Sequence, residues 1–313
     1  MPHSVAGELS FLQSYEPRDY PPVAVTVDIV VLTVVGGRLC VLLVRRGEPP
    51  YEGSWALPGG FLRVGSGVGE DQGEDLHEAA ARELMEETGL LVPGSPTPAA
   101  RQSVYLEQLA TYGRPGRDPR MRVVTVAYVA LARHVTGVRA GSDAREADWV
   151  PVADLALSGG DSGNGSGASN GSGASSGNGG SSGSGGSGER GAGEPAGAGP
   201  VRLAFDHARI AADAVARVRS KMQYTPIALA LVDDEFTLGE LQEVYEIVHD
   251  EPLHAANFRR KVTATPGFVE SVGVSAPRSN PRGGPRNQKL YRAGPARQFH
   301  PGFLGSADGR DAG

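Results

Sequence analysis

Cysteine is almost absent from this 313-residue sequence: Cys40 stands alone. One thiol excludes an intrachain disulfide framework and disfavours a structural zinc cluster. The seven histidines include no pair in H-x-x-x-H spacing, so a zincin-type helix is excluded too. Aromatic residues make up only 6% of the chain. No apolar run reaches the roughly 18 residues that a membrane span requires. The opening stretch, MPHSVAGELSFLQSYEPRDYPP, lacks the basic-then-apolar order of a secretory signal. A soluble, cytoplasmic protein without membrane contact is expected.

Glycine, by contrast, is abundant, and it is concentrated. Residues 158–199 hold 18 of the 45 glycines and no Val, Ile, Leu, Met or aromatic residue. Such a stretch has too little apolar surface to offset the entropy of ordering it. It is expected to be a flexible tether with a root-mean-square span of roughly 35 Å. The Gly183–Gly188 pattern inside it imitates a dinucleotide fingerprint by composition alone, since no strand precedes it and no helix follows. The expected organisation is an N-terminal segment at 1–21, a first body at 22–157 and a linker at 158–200. A second body at 201–294 and a disordered tail at 295–313 complete it. Charge divides the bodies as well. Between His254 and Gln298 there are nine basic residues and one acidic residue, whereas the whole chain carries −6. Two different kinds of partner are implied.

In the first body, β-branched runs at Val25–Val35 and Leu39–Val44 flank Gly36-Gly37, the pattern of a hairpin. Further strands are expected at Val104–Leu109, Val123–Leu131 and Trp149–Val152. Between them EDLHEAAARELMEETGL reads as a helix, with Asp75 as its N-cap and Gly89 past its end. Glu83, Glu86 and Glu87 then fall within an arc of about 100°. Mutual repulsion at this spacing would be relieved by a divalent cation, and oxygen-only ligands select Mg²⁺ or Mn²⁺. A plain solvated acidic face is the alternative.

The string Arg82-Glu83-Leu84-Met85-Glu86-Glu87-Thr88-Gly89-Leu90, with Glu74 upstream, resembles the Nudix box. The surrounding VTVDIVVLTV, LCVLLVRRG, GSWALPGGF, YLEQLATYG, RDPR and RVVTVAYVAL are similar to the ADP-ribose branch of that family. The resemblance implies an α/β/α sandwich with a mixed sheet. It implies Mg²⁺ held by Glu83, Glu86, Glu87 and the Gly60 carbonyl. One of these glutamates or a neighbouring carboxylate would activate water, and Arg82 would orient the carboxylates. Arg45, Arg46, Gly59 and Gly60 are the candidate contacts to substrate; Trp55, Tyr105 and Tyr112 are candidates for stacking a base. The sequence departs from the family pattern at one place. Thirteen residues separate Gly60 from Glu74 where the pattern has five, so a looser metal site is expected.

In the second body, Arg202–Met222 is expected to be helical, with Ile210, Ala214, Val218 and Met222 on one stripe. Thr237 and Glu240 form a capping box ahead of an amphipathic helix. A basic helix, HAANFRRKV, and two strands around a Pro/Gly/Arg loop follow. That order is a winged helix-turn-helix, in which Asn257, Arg259, Arg260 and Lys261 would face DNA. Arg278, Arg282 and Arg286 on the wing would meet phosphates or the minor groove. LAFDHARI, YTPIALALV, EFTLGELQEVYE and NFRRKV resemble the C-terminal half of the Nudix-related transcriptional regulators of NAD metabolism, which act as dimers. The function expected first is a Mg²⁺-dependent pyrophosphatase acting on ADP-ribose or a relative and fused to a DNA-binding winged helix; the alternative is an ADP-ribose-sensing transcriptional regulator of NAD metabolism with little or no hydrolysis. A basic domain serving only dimerisation is a third possibility.

Overall fold

The computed structural model describes residues 5–65, 73–90, 104–133, 144–157, 200–274, 278–280, 283–286, 288–299 and 302–303. The elements of the first part are α1 (Val5–Ser14), β1 (Ala24–Val35), β2 (Arg38–Arg46), β3 (Trp55–Ala56) and β4 (Gly59–Phe61). Then come α2 (Leu76–Thr88), β5 (Tyr105–Tyr112), β6 (Val123–Leu131) and β7 (Ala144–Pro151). The second part contains α3 (His207–Met222), α4 (Leu238–His249), α5 (Ala255–Ala264), β8 (Val269–Val274), β9 (Arg278–Asn280), β10 (Gly283–Arg286) and β11 (Lys289–Ala293). Among the described residues no helix is long and apolar enough to cross a membrane.

The strands β1 to β7 form one mixed sheet in the order β3-β2-β1-β6-β5, with β4 added to β1 and β7 to β2. The β1–β2 turn uses Gly36 and Gly37 at φ of +56° and +73°, a conformation that side chains disfavour. β1 and β6 pair in parallel and are buried on both faces, as their continuous apolar runs require. Alternate residues of β1 serve opposite layers. Val27, Ile29 and Val31 share a core with Ala79, Ala80 and Leu84 of α2. Val30 and Leu32 share the other core with Ile210, Ala214 and Val218 of α3.

That third layer displaces the expected boundary at residue 201. The helix expected to begin the second body covers the sheet of the first, packing on β1 and β5. Its apolar stripe suits either partner, so periodicity could not distinguish them. The two ends of the glycine-rich segment also meet. The Val201 N–H donates to the Asp154 carbonyl at 2.8 Å, and the Ala156 N–H donates to the Val201 carbonyl at 2.9 Å. Residues 158–199 lie outside the described residues; their flanks at Asp154, Ala156 and Val201 are hydrogen-bonded to each other. Replacing 158–199 with about six Gly/Ser residues is expected to stabilise the chain by roughly 1–2 kcal/mol from the shorter loop closure. A raised urea midpoint would show this; a collapse of the midpoint would mean the segment has structural contacts of its own.

The second part is a winged helix. Thr237 and Glu240 cap α4 reciprocally, at 2.7 and 3.1 Å. Leu238, Leu241, Val244, Tyr245 and Val248 are buried beneath it. β8 and β11 form the wing hairpin, and Phe236 bridges to Tyr291 of β11. The segment after the wing differs from the tail expected there. Phe299 and Phe303 are buried against Phe268, Tyr245 and Phe258, with Phe268 and Phe299 centroids 4.4 Å apart. Two aromatics in so polar a stretch are the signal that was available.

Candidate functional site

A cavity of about 310 Å³ opens between the end of β2, the β4 strand, α2 and the segment that enters α3. Its floor is set by the helix α2, whose N-terminus is fixed by a capping box between Asp75 and Glu78 and whose end is the left-handed Gly89. This fixes the carboxylate arc. Arg82 gathers the acidic residues: it donates to Glu74 at 2.6 and 2.8 Å, to Glu83 at 2.6 Å and to Glu86 at 3.0 Å. The guanidinium beside Glu74 holds that carboxyl below the usual range, whereas burial pushes Glu83 up. Glu87 accepts from the Gly59 N–H at 2.9 Å. A Cβ at Gly60 would lie 2.3 Å from a Glu83 oxygen, so a larger residue there would displace the Glu83 carboxylate from its place beside Arg82.

The long segment after Gly60 does not spread the site. Val64 bridges to Gly73, the Arg63 N–H donates to Glu74 at 2.8 Å, and the Glu74 N–H returns to the Arg63 carbonyl at 3.1 Å. The segment is closed at its neck, and Glu74 still reaches Arg82. Residues 66–72 lie outside the described residues.

The carboxylates have the oxygen chemistry that suits Mg²⁺, but each is turned to a nitrogen. Arg63 forks onto both oxygens of Glu86 at 3.1 and 3.2 Å, beside the Arg82 contacts. Among the described residues no three His, Cys, Asp or Glu side chains are grouped to hold a metal ion. Guanidinium groups here carry the neutralising charge.

The expected ligand contacts Arg45, Arg46, Gly59 and Gly60 all line the cavity, and Arg45 is bonded to the Gly53 carbonyl and Glu146. Arg46 donates to the Pro50 carbonyl at 2.7 Å and lies 4.9 Å over the Phe205 ring. Burial and then the nearby Arg120 lower its pKa, which marks two guanidiniums sharing one space. Arg120 itself is held by Asp118 at 2.7 and 3.1 Å and lies over Phe61. The aromatic candidates stand elsewhere. Tyr112 donates to Asp213 of α3 at 2.8 Å, and Tyr105 bonds with Glu107 and Lys221, so both fasten α3 to the sheet. Trp55 bridges to Leu203. The phenyl rings in the cavity wall are Phe61 and Phe205.

Several lining residues escaped the sequence reading: Asp28, Arg117, Asp118, Arg120, Phe205 and His207. Asp28 had a signal, as the lone charge within a β-branched run. Arg117 is buried and bonds Asp28 at 3.2 Å and Asp206 at 2.7 and 3.0 Å. The His207 ring is buried, and its Nδ1 accepts the Leu57 N–H at 2.9 Å, so its proton sits on Nε2, 3.6 Å from Asp28. Burial lowers the pKa of His207. Its contribution to stability is therefore complete above the unfolded value of about 6.5 and is lost as pH falls toward the lower folded value. We expect the urea midpoint to fall on acidification below about pH 6.5, with His207→Gln flattening that slope. An unchanged slope in the variant would place the acid sensitivity elsewhere.

At the far end of the chain, α5 buries Phe258 and Val262 and exposes Asn257, Arg259 and Arg260, with Lys261 half-buried. Arg278 and Arg286 fall on the short strands β9 and β10 of the wing tip; Arg282 lies outside the described residues.

A mixed sheet between α2 and α3, with Glu83 and Glu87 of the acidic arc in its cavity and a winged helix behind, defines a Nudix domain joined to a DNA-reading module. The model of the NUDIX domain matches residues 22–166, and that of the NrtR DNA-binding winged helix domain matches residues 228–293. The chain is 30% identical over 287 residues to the ADPR responsive transcriptional repressor NtrR of Acinetobacter baylyi, covering 92% of this chain and 88% of that one. Among solved structures, Shewanella oneidensis NrtR complexed with a 27mer DNA is 28% identical with a TM-score of 0.58, covering 89% of this chain and 98% of that one. A MutT/nudix family protein from Enterococcus faecalis is 26% identical with a TM-score of 0.62, covering 93% of each chain. The chain belongs to the NrtR family of Nudix-related transcriptional regulators.

Proposed function

We propose that this chain is an ADP-ribose-responsive DNA-binding regulator whose Nudix cavity reads the nucleotide with little or no hydrolysis. The observation that carries the reading is the joining, in one chain, of the Arg46–Arg120 cavity to a helix that exposes Arg259 and Arg260. It is supported by the repressor from Acinetobacter baylyi, which is similar over nearly the full length. Arg46 and Arg120 offer planar donors to a diphosphate, and Phe205 offers a face to a ring. Residues of α5 enter the major groove and the wing tip meets phosphates, each chain serving one half of a dimer.

The cavity lining holds Arg45, Arg46, Arg117 and Arg120 against Asp28, Glu48, Glu83, Glu87 and Asp118. A diphosphate adds further negative charge, so we expect ADP-ribose to bind more tightly with Mg²⁺ than with EDTA. Glu83, Glu86, Glu87 and the Gly60 backbone are the groups that would take the cation, together with the ligand's own oxygens. Calorimetric titration in both conditions checks this. Equal affinities would show that the arginines suffice.

The test of function pairs two readouts on the same preparation: AMP release from ADP-ribose with Mg²⁺, and the effect of ADP-ribose on DNA affinity. The regulator reading expects slow or no AMP release, and a DNA response that survives Glu86→Gln. Brisk turnover lost in Glu86→Gln, with no effect of ADP-ribose on DNA affinity, would make the protein a pyrophosphatase instead.

A further inference from the structure

The helix α3 begins in the wall of the nucleotide cavity and ends inside the winged helix. At its N-terminal end, Phe205 lines the cavity at φ of +53°, a strained conformation for a bulky side chain. The next residue, Asp206, accepts the fork of the buried Arg117, which itself lines the cavity and holds Asp28 of β1. His207 takes the Leu57 N–H, and the Ala204 N–H donates to the Trp55 carbonyl at 2.8 Å. Sixteen residues later, about 24 Å at 1.5 Å per residue, the helix makes a second set of bonds. The Met222 carbonyl accepts Tyr245 Oη–H at 3.2 Å, and Arg219 Nε–H donates to the Val248 carbonyl at 2.7 Å. Both partners are on α4, the helix that packs against the DNA-facing α5.

Strain and buried charge are thus placed where a ligand would lie, and a rigid element leads from them to the reading head. We infer that α3 couples the cavity to the winged helix, with Asp206 and Arg117 as its ligand-sensing end and Arg219 as its output. The inference rests on the proposed regulator function and names the device within it. A diphosphate next to Arg117 and Phe205 shifts the balance of the Arg117–Asp206 fork, and α3 moves as a unit against α4. Other contacts join the two parts: α4 also meets β2, and Arg133 pairs with Asp234. Of these, β2 reaches the cavity wall with Val44, Arg45 and Arg46, but none of the three bonds to the buried Arg117–Asp206 pair. Asp206 and Arg219 are positioning residues, because neither lines the cavity nor lies on α5.

The test uses the full chain with Asp206→Asn and Arg219→Met, one at each end of the helix. Affinity for ADP-ribose is measured by calorimetry. Affinity for a fluorescein-labelled duplex, selected from a random pool by the wild-type chain, is measured by anisotropy with and without ADP-ribose. Both variants should keep each separate affinity within about twofold. The change that ADP-ribose makes in DNA affinity, commonly 5- to 150-fold for such coupling, should shrink at least threefold in each. Linkage requires the same loss in the effect of DNA on ADP-ribose affinity. If the wild type responds and both variants respond equally well, the coupling runs through another contact and the inference is overturned. A wild type with no response overturns the regulator reading itself. Should Asp206→Asn lower the melting temperature enough to populate unfolded chain, Arg219→Met alone decides the matter.

Discussion

The double substitution Arg259→Ala with Arg260→Ala is expected to abolish DNA binding while leaving ADP-ribose binding unchanged. Both side chains are exposed on α5, on the side opposite the buried Phe258 and Val262. Removing them costs no packing and leaves the winged helix folded. Each guanidinium that meets a base edge or phosphate contributes about 1–3 kcal/mol, so the pair accounts for at least a 30-fold loss in affinity at moderate salt. The salt dependence should also flatten, by close to one unit of slope per phosphate contact removed. Anisotropy across a series of salt concentrations measures both effects. Loss of nucleotide binding along with DNA binding would show that α5 supports the cavity, which its position in the fold contradicts.

The second large effect falls on stability. Arg117→Ala is expected to destabilise the chain by about 3–5 kcal/mol, because it leaves Asp28 and Asp206 facing each other without a cation. The Arg117 side chain is only 4% exposed, so water cannot take over its role. Asp206→Asn should cost far less, since it removes one charge and keeps an oxygen for the fork. Urea midpoints of the two variants give the comparison directly. A small loss in Arg117→Ala would mean the carboxylates find water or protons instead, and the buried ion cluster would then be incidental to the fold.

Much of this architecture was legible in the sequence. The Gly36-Gly37 turn, the Asp75 and Gly89 caps of α2 and the Thr237–Glu240 box are local signals, and local geometry settled them. The carboxylate arc followed from helical spacing alone. What escaped was everything that depends on packing across the long glycine-rich segment. The stripe of α3 announces a buried face but not the surface that buries it. Its partner proved to be the sheet, and with it Phe205, Asp206 and His207 came into the cavity wall. Arg82 was expected from the family resemblance to orient the carboxylates, whereas nothing in the spacing places the more distant Arg63 on Glu86. The thirteen residues after Gly60 suggested an opened site because loop length is visible in sequence, whereas the closure between Arg63 and Glu74 is not. Phe299 and Phe303 were lost among glycines and prolines, although buried aromatics are what an otherwise polar tail has to offer a core.

The regulator account is tested most directly by titrating the fluorescein-labelled duplex with the full chain, with and without saturating ADP-ribose. AMP is quantified in the same samples. The account predicts a DNA affinity that ADP-ribose changes at least fivefold, with nucleotide remaining intact over the titration. A DNA affinity indifferent to ADP-ribose, beside rapid Mg²⁺-dependent release of AMP, would contradict it.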